Sequence, residues 1–205
     1  MAKSQAAEMV PESLWSGGVS PFGVSWQKLM MWIFIITDGL LFAGLLAGYG
    51  FLRLASPQWP DQTQVFYMPF IAFMTFVLIT SSATMGTAVG AARQRDRRWM
   101  VRGLVLTILG GLIFLGCQAY EWTHLIHQGA RLYTNPWGVP HFTACFFVLT
   151  GFHGSHVLSG VIILTITLIR TLLGKTTPEG VEIAGLYWHF VDLVWVFIFT
   201  LFYLL

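Results

Sequence analysis

The sequence predicts an all-α, polytopic membrane protein: a bundle of five transmembrane helices with the N-terminus cytoplasmic and the C-terminus periplasmic. Three observations lead there. Of the 205 residues 56% are hydrophobic and only 10% charged, against roughly a quarter charged in soluble domains. Five apolar runs each offer roughly the 20 residues that a helix needs to cross a bilayer. Basic residues then cluster between the second and third runs, which sets a direction.

The first run spans about Leu29 to Leu52 and ends at a loop holding Pro57 and Pro60. The second runs from Phe66 to Ala92 and the third from about Gly103 to Ile126. The fourth covers Phe142 to Ile169, after a loop from Arg131 to Pro140, and the fifth covers Ile183 to Leu205. Residues 1–26 carry Glu8, Pro11, Glu12 and Pro21 with no apolar core. They read as a cytoplasmic or surface-lying tail and not as a secretory signal peptide. Residues 27–205 read as one transmembrane domain with no internal repeat.

Orientation follows from Arg93, Arg95, Arg97, Arg98 and Arg102, because short loops rich in Lys and Arg stay cytoplasmic. Alternation then puts nine basic residues inside, with only Arg53 and Arg131 outside. Cys117 and Cys145 each fall in an apolar run without paired spacing, so they read as small buried hydrophobes.

A charged group near the bilayer centre costs about 2.5–3.5 kcal/mol on insertion scales, so each one there must face protein or water. Three acids qualify. Asp38 lies about half-way along the first run at about 1.5 Å per residue, Glu121 toward the outer end of the third, and Asp192 in the inner half of the fifth. His153 and His156 are spaced i, i+3 on the fourth run, as His189 and Asp192 are on the fifth, so two polar faces are placed to meet. Trp188, Asp192 and Trp195 form a stripe that sets the acid between two indoles able to donate to it or shield it. Gly44 and Gly48 make a G-x-x-x-G pair, and Gly151, Gly154, Ser155, Ser159 and Gly160 line the fourth run. Such small residues admit close neighbours, which places the fourth run at the centre.

Several chemistries fit these groups. His153, His156, His189 and Asp192 are the residue types of a metal site, and facing imidazoles suit a b-type haem. Neither has a specific signature here, and no metal site is expected. Proton handling, or hydrogen bonds that pin the fourth run to the fifth, suit the same residues. Asp38 has no cationic partner in its own helix, so it reads as a buried protonated acid bonded to another helix, or as an acid that tunes proton uptake. Glu121, beside Gln118, Trp122, His124 and His127, reads as interfacial anchoring, as do Trp59, Tyr133, Trp137 and His141. The five arginines set topology and also suit an anionic lipid headgroup or a partner's acidic surface.

Two stretches resemble a known family. Gly151-Phe152-His153-Gly154-Ser155-His156-Val157, with Gly160 after it, and Tyr187-Trp188-His189-Phe190-Val191-Asp192-Leu193-Val194-Trp195 look like the signatures of subunit III of haem-copper oxidases. Thr37-Asp38 followed by Phe42 resembles the family's first shared helix, and Gln118-Ala119-Tyr120-Glu121-Trp122 its glutamine-to-glutamate motif. The likeness covers about Trp26 to Leu205 and suits the short bacterial form, which begins at the third helix of seven-helix members.

The resemblance implies a subunit without haem or metal of its own in a bacterial cytoplasmic membrane. Such a subunit packs against subunit I, binds phospholipid between its helices, and sustains proton uptake and enzyme lifetime. Haem and copper are then expected in partner chains, with subunits I and II carrying the electrons. Asp38 takes the place of the family's intramembrane acid, where many members have Glu. The leading expectation is an accessory subunit of a proton-pumping cytochrome c oxidase that reduces dioxygen to water. Alternatives are subunit III of a quinol oxidase, the related subunit of a nitric oxide reductase, a small proton-coupled transporter using Asp38, Glu121 and Asp192, and a haem-binding membrane cytochrome.

Overall fold

The computed structural model describes residues 24–205; most of the N-terminal tail read from sequence lies outside them. The chain forms α1 (Trp26–Ala55), a single turn α2 (Gln62–Val65), α3 (Met68–Arg93), α4 (Arg97–His127), α5 (Pro140–Leu172) and α6 (Pro178–Ile198). The last of these continues as a π-helical segment, Phe199–Leu204. Among the described residues there is no strand, and five helices are long and apolar enough to cross a membrane. The protein is a multi-pass membrane protein.

Helices α1, α4 and α6 begin ahead of their apolar runs because capping side chains, and not hydropathy, set where they start, whereas α3 begins two residues inside its run at Met68. Ser25 accepts from the Lys28 amide, so α1 opens before Leu29. Asp96 accepts from the amides of Arg98 and Trp99 and starts α4 at Arg97. The arginine segment is therefore not an open loop. Arg93 closes α3, Arg97, Arg98 and Arg102 belong to α4, and Arg95 alone sits in the connecting turn, with a left-handed φ of 58°. Thr177 caps α6 at Gly180, with Pro178 in the first helical position, where its missing N–H costs nothing. In the loop after α1, Asp61 accepts from the hydroxyl and amide of Thr63, bonds that hold its carboxyl below the usual range.

The helix at the centre is α6 and not the fourth run, α5. It packs against α1, α3 and α5 and buries Trp188 and Trp195 completely. Backbone shape makes this possible. An ideal Cβ on Gly111 of α4 would lie 2.5 Å from Trp188 Cη2, and one on Gly160 of α5 would lie 2.8 Å from Trp188 Cε3. The indole thus occupies space that two neighbouring helices vacate. The expected close approach at Gly44 and Gly48 is absent: no heavy atom lies within 4 Å of a Cβ built at either. Ser155 and Ser159 are likewise exposed.

Candidate functional site

The polar residues do not converge on one centre. They form separate pairs, each joining a different set of helices. Asp38 of α1 faces His156 of α5, with Oδ2 3.3 Å from Nε2, and both side chains are largely buried. The His156 ring stands against Phe42 at 5.3 Å and Phe152 at 4.6 Å. Its other nitrogen, Nδ1, is 2.8 Å from the Phe152 carbonyl oxygen. A carbonyl only accepts, so Nδ1 carries a hydrogen. Asp38 Oδ2 makes no hydrogen bond, so the two groups stand in close polar contact without a directed bond between them. Tyr187 donates to the His156 carbonyl at 3.2 Å and fixes that turn of α5 to α6.

His153 turns away from this pair. It is fully buried, with its ring 5.1 Å from Trp195 and 5.7 Å from Phe114, and neither ring nitrogen is hydrogen-bonded. His189 meets α3, not α5: Ser82 Oγ lies 2.6 Å from its Nδ1. Asp192 is buried, and neither of its carboxyl oxygens makes a hydrogen bond, although Ser82 lies within electrostatic reach. The two indoles do not serve this acid. Trp188 donates to Ser81 at 3.1 Å and Trp195 to Thr75 at 3.0 Å, both on α3. Among the described residues the expected histidine and aspartate bonds between α5 and α6 are thus absent. His153 packs instead on the rings of Phe114 and Trp195, which also meet each other.

Glu121 is a further correction, because it is buried and not an interfacial anchor. Tyr203 donates to its Oε2 at 3.1 Å, while Oε1 has no partner. Next to it, Gln118 donates to the Thr150 carbonyl at 2.5 Å and Trp122 to the Thr150 hydroxyl at 3.0 Å, which clamps α4 to α5. Ser81, Ser82, Thr75, Thr150 and Tyr203 were all missed by sequence reasoning. A hydroxyl in an apolar run often satisfies itself on its own helix, and Thr150 does bond the Phe146 carbonyl, so type alone does not mark an interhelical partner. Among the described residues no three His, Cys, Asp or Glu side chains cluster as a metal site.

At the opposite end from Tyr203, Glu182 of α6 receives Lys28 of α1 at 2.7 Å and Arg93 of α3 at 3.0 Å. Arg97 donates to the Leu172 carbonyl at 2.6 Å, and Arg102 lies over the Trp99 ring at 5.2 Å. Of the five arginines, Arg95 and Arg98 have no side-chain partner among the described residues.

The family model for cytochrome c oxidase subunit III matches residues 4–205. The chain belongs to that family. It is subunit III of a haem-copper oxidase, an oxidoreductase complex, and the resemblance read from the signature stretches stands. Curated relatives agree along almost their whole lengths. Quinol oxidase subunit 3 of Bacillus subtilis is 38% identical, with 86% of each chain covered. Probable quinol oxidase subunit 3 of Staphylococcus aureus is 37% identical and that of Staphylococcus saprophyticus 34%, each covering 87% of this chain and 89% of the relative. The fold brings Asp38 and His156, from two of the stretches that carry the resemblance, within 3.3 Å of each other, a contact that the sequence alone had not joined.

Proposed function

We propose that this chain is the non-redox third subunit of a quinol-oxidising, proton-pumping terminal oxidase in a bacterial cytoplasmic membrane. The leading expectation from sequence was a cytochrome c donor. The names of the relatives favour the quinol alternative instead, and they are the observation that carries this reading. Haem and copper belong to partner chains in it, with subunit I as the principal neighbour and subunit II alongside. Membership of the family leaves the independent transporter without support. Orientation follows the arginines: the end with Arg93 to Arg102 faces the cytoplasm and the Tyr203 end faces outward.

In this reading Asp38 and His156 support proton uptake, since an acid and an imidazole 3.3 Å apart within the bundle can relay or buffer protons for a neighbour. Arg95 and Arg98 hold an anionic lipid headgroup or an acidic partner surface.

Purification in mild detergent and measurement of oxygen consumption test the assignment. The expected result is co-purification with haem- and copper-bearing chains and turnover with a quinol. Turnover with reduced cytochrome c alone overturns the donor. Asp38→Ala is expected to reduce oxygen at first but to slow proton uptake or inactivate sooner during turnover. Unchanged uptake and inactivation kinetics would remove the role given to the pair.

A further inference from the structure

At the end of the bundle that carries Lys28 and Arg93, a cleft of about 530 Å³ opens between α1, α5 and α6. Its lining is mixed: Ile163, Ile166 and Ile183 supply apolar surface, and Gln27, Arg170 and Thr177 supply polar groups. Lys28 and Arg93 are both spent on Glu182. Arg170 is different, because it is exposed and among the described residues its guanidinium has no hydrogen bond or ion pair. Thr177 accepts from the Gly180 amide at 3.1 Å and keeps its hydroxyl hydrogen to donate.

This lining suits a short peptide better than an acyl chain. The isoleucines offer apolar surface to either, but a peptide also brings backbone N–H and C=O groups that need partners, and Gln27 and Thr177 can meet them. The chain itself has such a segment close by. Gln27 lies in the first turn of α1, so residues 1–23 join the bundle beside the cleft. Among them Glu12-Ser13-Leu14-Trp15 sets an acid just ahead of two large apolar side chains, and from Ala6 to Phe22 there are acids but no base. The cleft presents the complement, an unpaired guanidinium beside isoleucines. Residues 16–26 could span roughly 36–40 Å if extended at about 3.3–3.6 Å each, and they include the turn-forming types Gly17, Gly18, Pro21 and Gly23. A short tether of this kind holds its segment at about millimolar effective concentration.

We propose that the N-terminal segment of this chain closes this cleft, with Glu12 paired to Arg170 and with Leu14 and Trp15 packed on Ile163, Ile166 and Ile183. The cleft is then a docking site for the chain's own tail, whatever the electron donor of the complex.

The test uses the intact oxidase complex in nanodiscs of phosphatidylcholine and phosphatidylglycerol, with Trp15→p-benzoylphenylalanine as a photo-crosslinker. On illumination the crosslink is expected within this chain, on peptides that hold Ile163 to Arg170 or Pro178 to Ile183. Arg170→Glu should cut its yield about threefold, as a partly exposed ion pair allows, and adding Glu12→Arg should restore it. Gln27→Cys gives a second readout in a chain that keeps Trp15: the rate at which a water-soluble maleimide labels that peptide. Leu14→Ser with Trp15→Ser should raise this rate about tenfold or more, as the loss of two buried apolar side chains implies. Arg170 and Gln27 are exposed, so co-purification with the other subunits should persist in every variant. A crosslink to phospholipid would give the cleft to lipid, and one to another subunit would give it to a partner; either overturns the proposal. So does a crosslink indifferent to both charge variants, or a labelling rate indifferent to the loss of Leu14 and Trp15.

Discussion

The helices α6 and α1 lie against each other and are held in opposite ways. In α6, 56% of the apolar stretch is buried, against 11% in α1. The first is locked by shape, with Trp188 seated in space vacated by Gly111 and Gly160. The second touches the bundle along a narrow stripe of Asp38, Phe42 and Tyr49. It is pinned by polar contacts at three heights: Lys28 to Glu182, Asp38 to His156, and Arg53 to the Leu205 carbonyl. Lipid tails are as apolar as leucine, so a helix with little packing surface gains no hydrophobic drive from joining a bundle. Polar pins are the economical way to keep α1 in register, and they set an acid of α1 beside an imidazole of α5.

Breaking the shape lock should cost most. Gly111→Val would put atoms 2.5 Å from Trp188 and 2.8 Å from Val161, and overpacking of this kind costs about 3 kcal/mol or more. We expect near-complete loss of folded chain from membranes, read by detergent-extracted yield. Gly44→Val, on the open face of α1, should leave the yield of the chain unchanged. Equal losses at the two sites would erase the distinction between the helices.

The pinning of α1 is tested next by Asp38→Ala, which strands His156. Removing one member of a buried pair costs about 3–5 kcal/mol and of an exposed pair about 0–1 kcal/mol. This pair is slightly open, and we expect about 2–3 kcal/mol. Hydrogen exchange should quicken along α1 and stay slow in α6. The double variant Asp38→Ala with His156→Ala should lose less than the sum of the singles, as coupled neighbours do; strict additivity would show that the pair is not coupled.

Trp195→Phe separates the indole's packing from its hydrogen bond. The ring contacts with Phe114 and His153 stay, while the donor to Thr75 is lost. Thr75 keeps its own bond to the Ile71 carbonyl. The expected cost is about 1 kcal/mol, visible as a modest fall in thermal midpoint. A loss as large as that of Gly111→Val would mean that α6 too is held mainly by polar contacts.

This contrast also explains what was legible in the sequence. Five spans were, because hydropathy acts locally and caps shift each end by only a few residues. The importance of Asp38, Glu121, Asp192 and the histidines was legible too, since a polar group in a bilayer needs a reason. Their partners were not. Spacing says which residues share a face of one helix, but helix rotation decides what that face meets, and rotation here is set by Trp188 against Gly111 and Gly160. That seating turns His189 to Ser82 and the indoles to α3. Glu121 misled for a related reason: near the end of a span, anchoring and burial have the same sequence pattern, and only Tyr203, at the far end of the chain, separates them.

The smallest effect belongs to the Glu182 cluster, and it sharpens the comparison where the two helices share one acid. Lys28 ties α1 to Glu182 with both side chains about three-quarters buried, whereas the Arg93 side chain is 65% exposed. Partly exposed pairs are worth about 0–1 kcal/mol and weaken with salt. Lys28→Ala should therefore cost somewhat under 1 kcal/mol, felt as faster exchange in the first turns of α1. Arg93→Ala should cost nothing measurable, because α3 is already held to α6 through Ser81, Ser82 and Thr75. Greater sensitivity to Arg93→Ala than to Lys28→Ala would place the anchoring of this end in the arginines and not in α1.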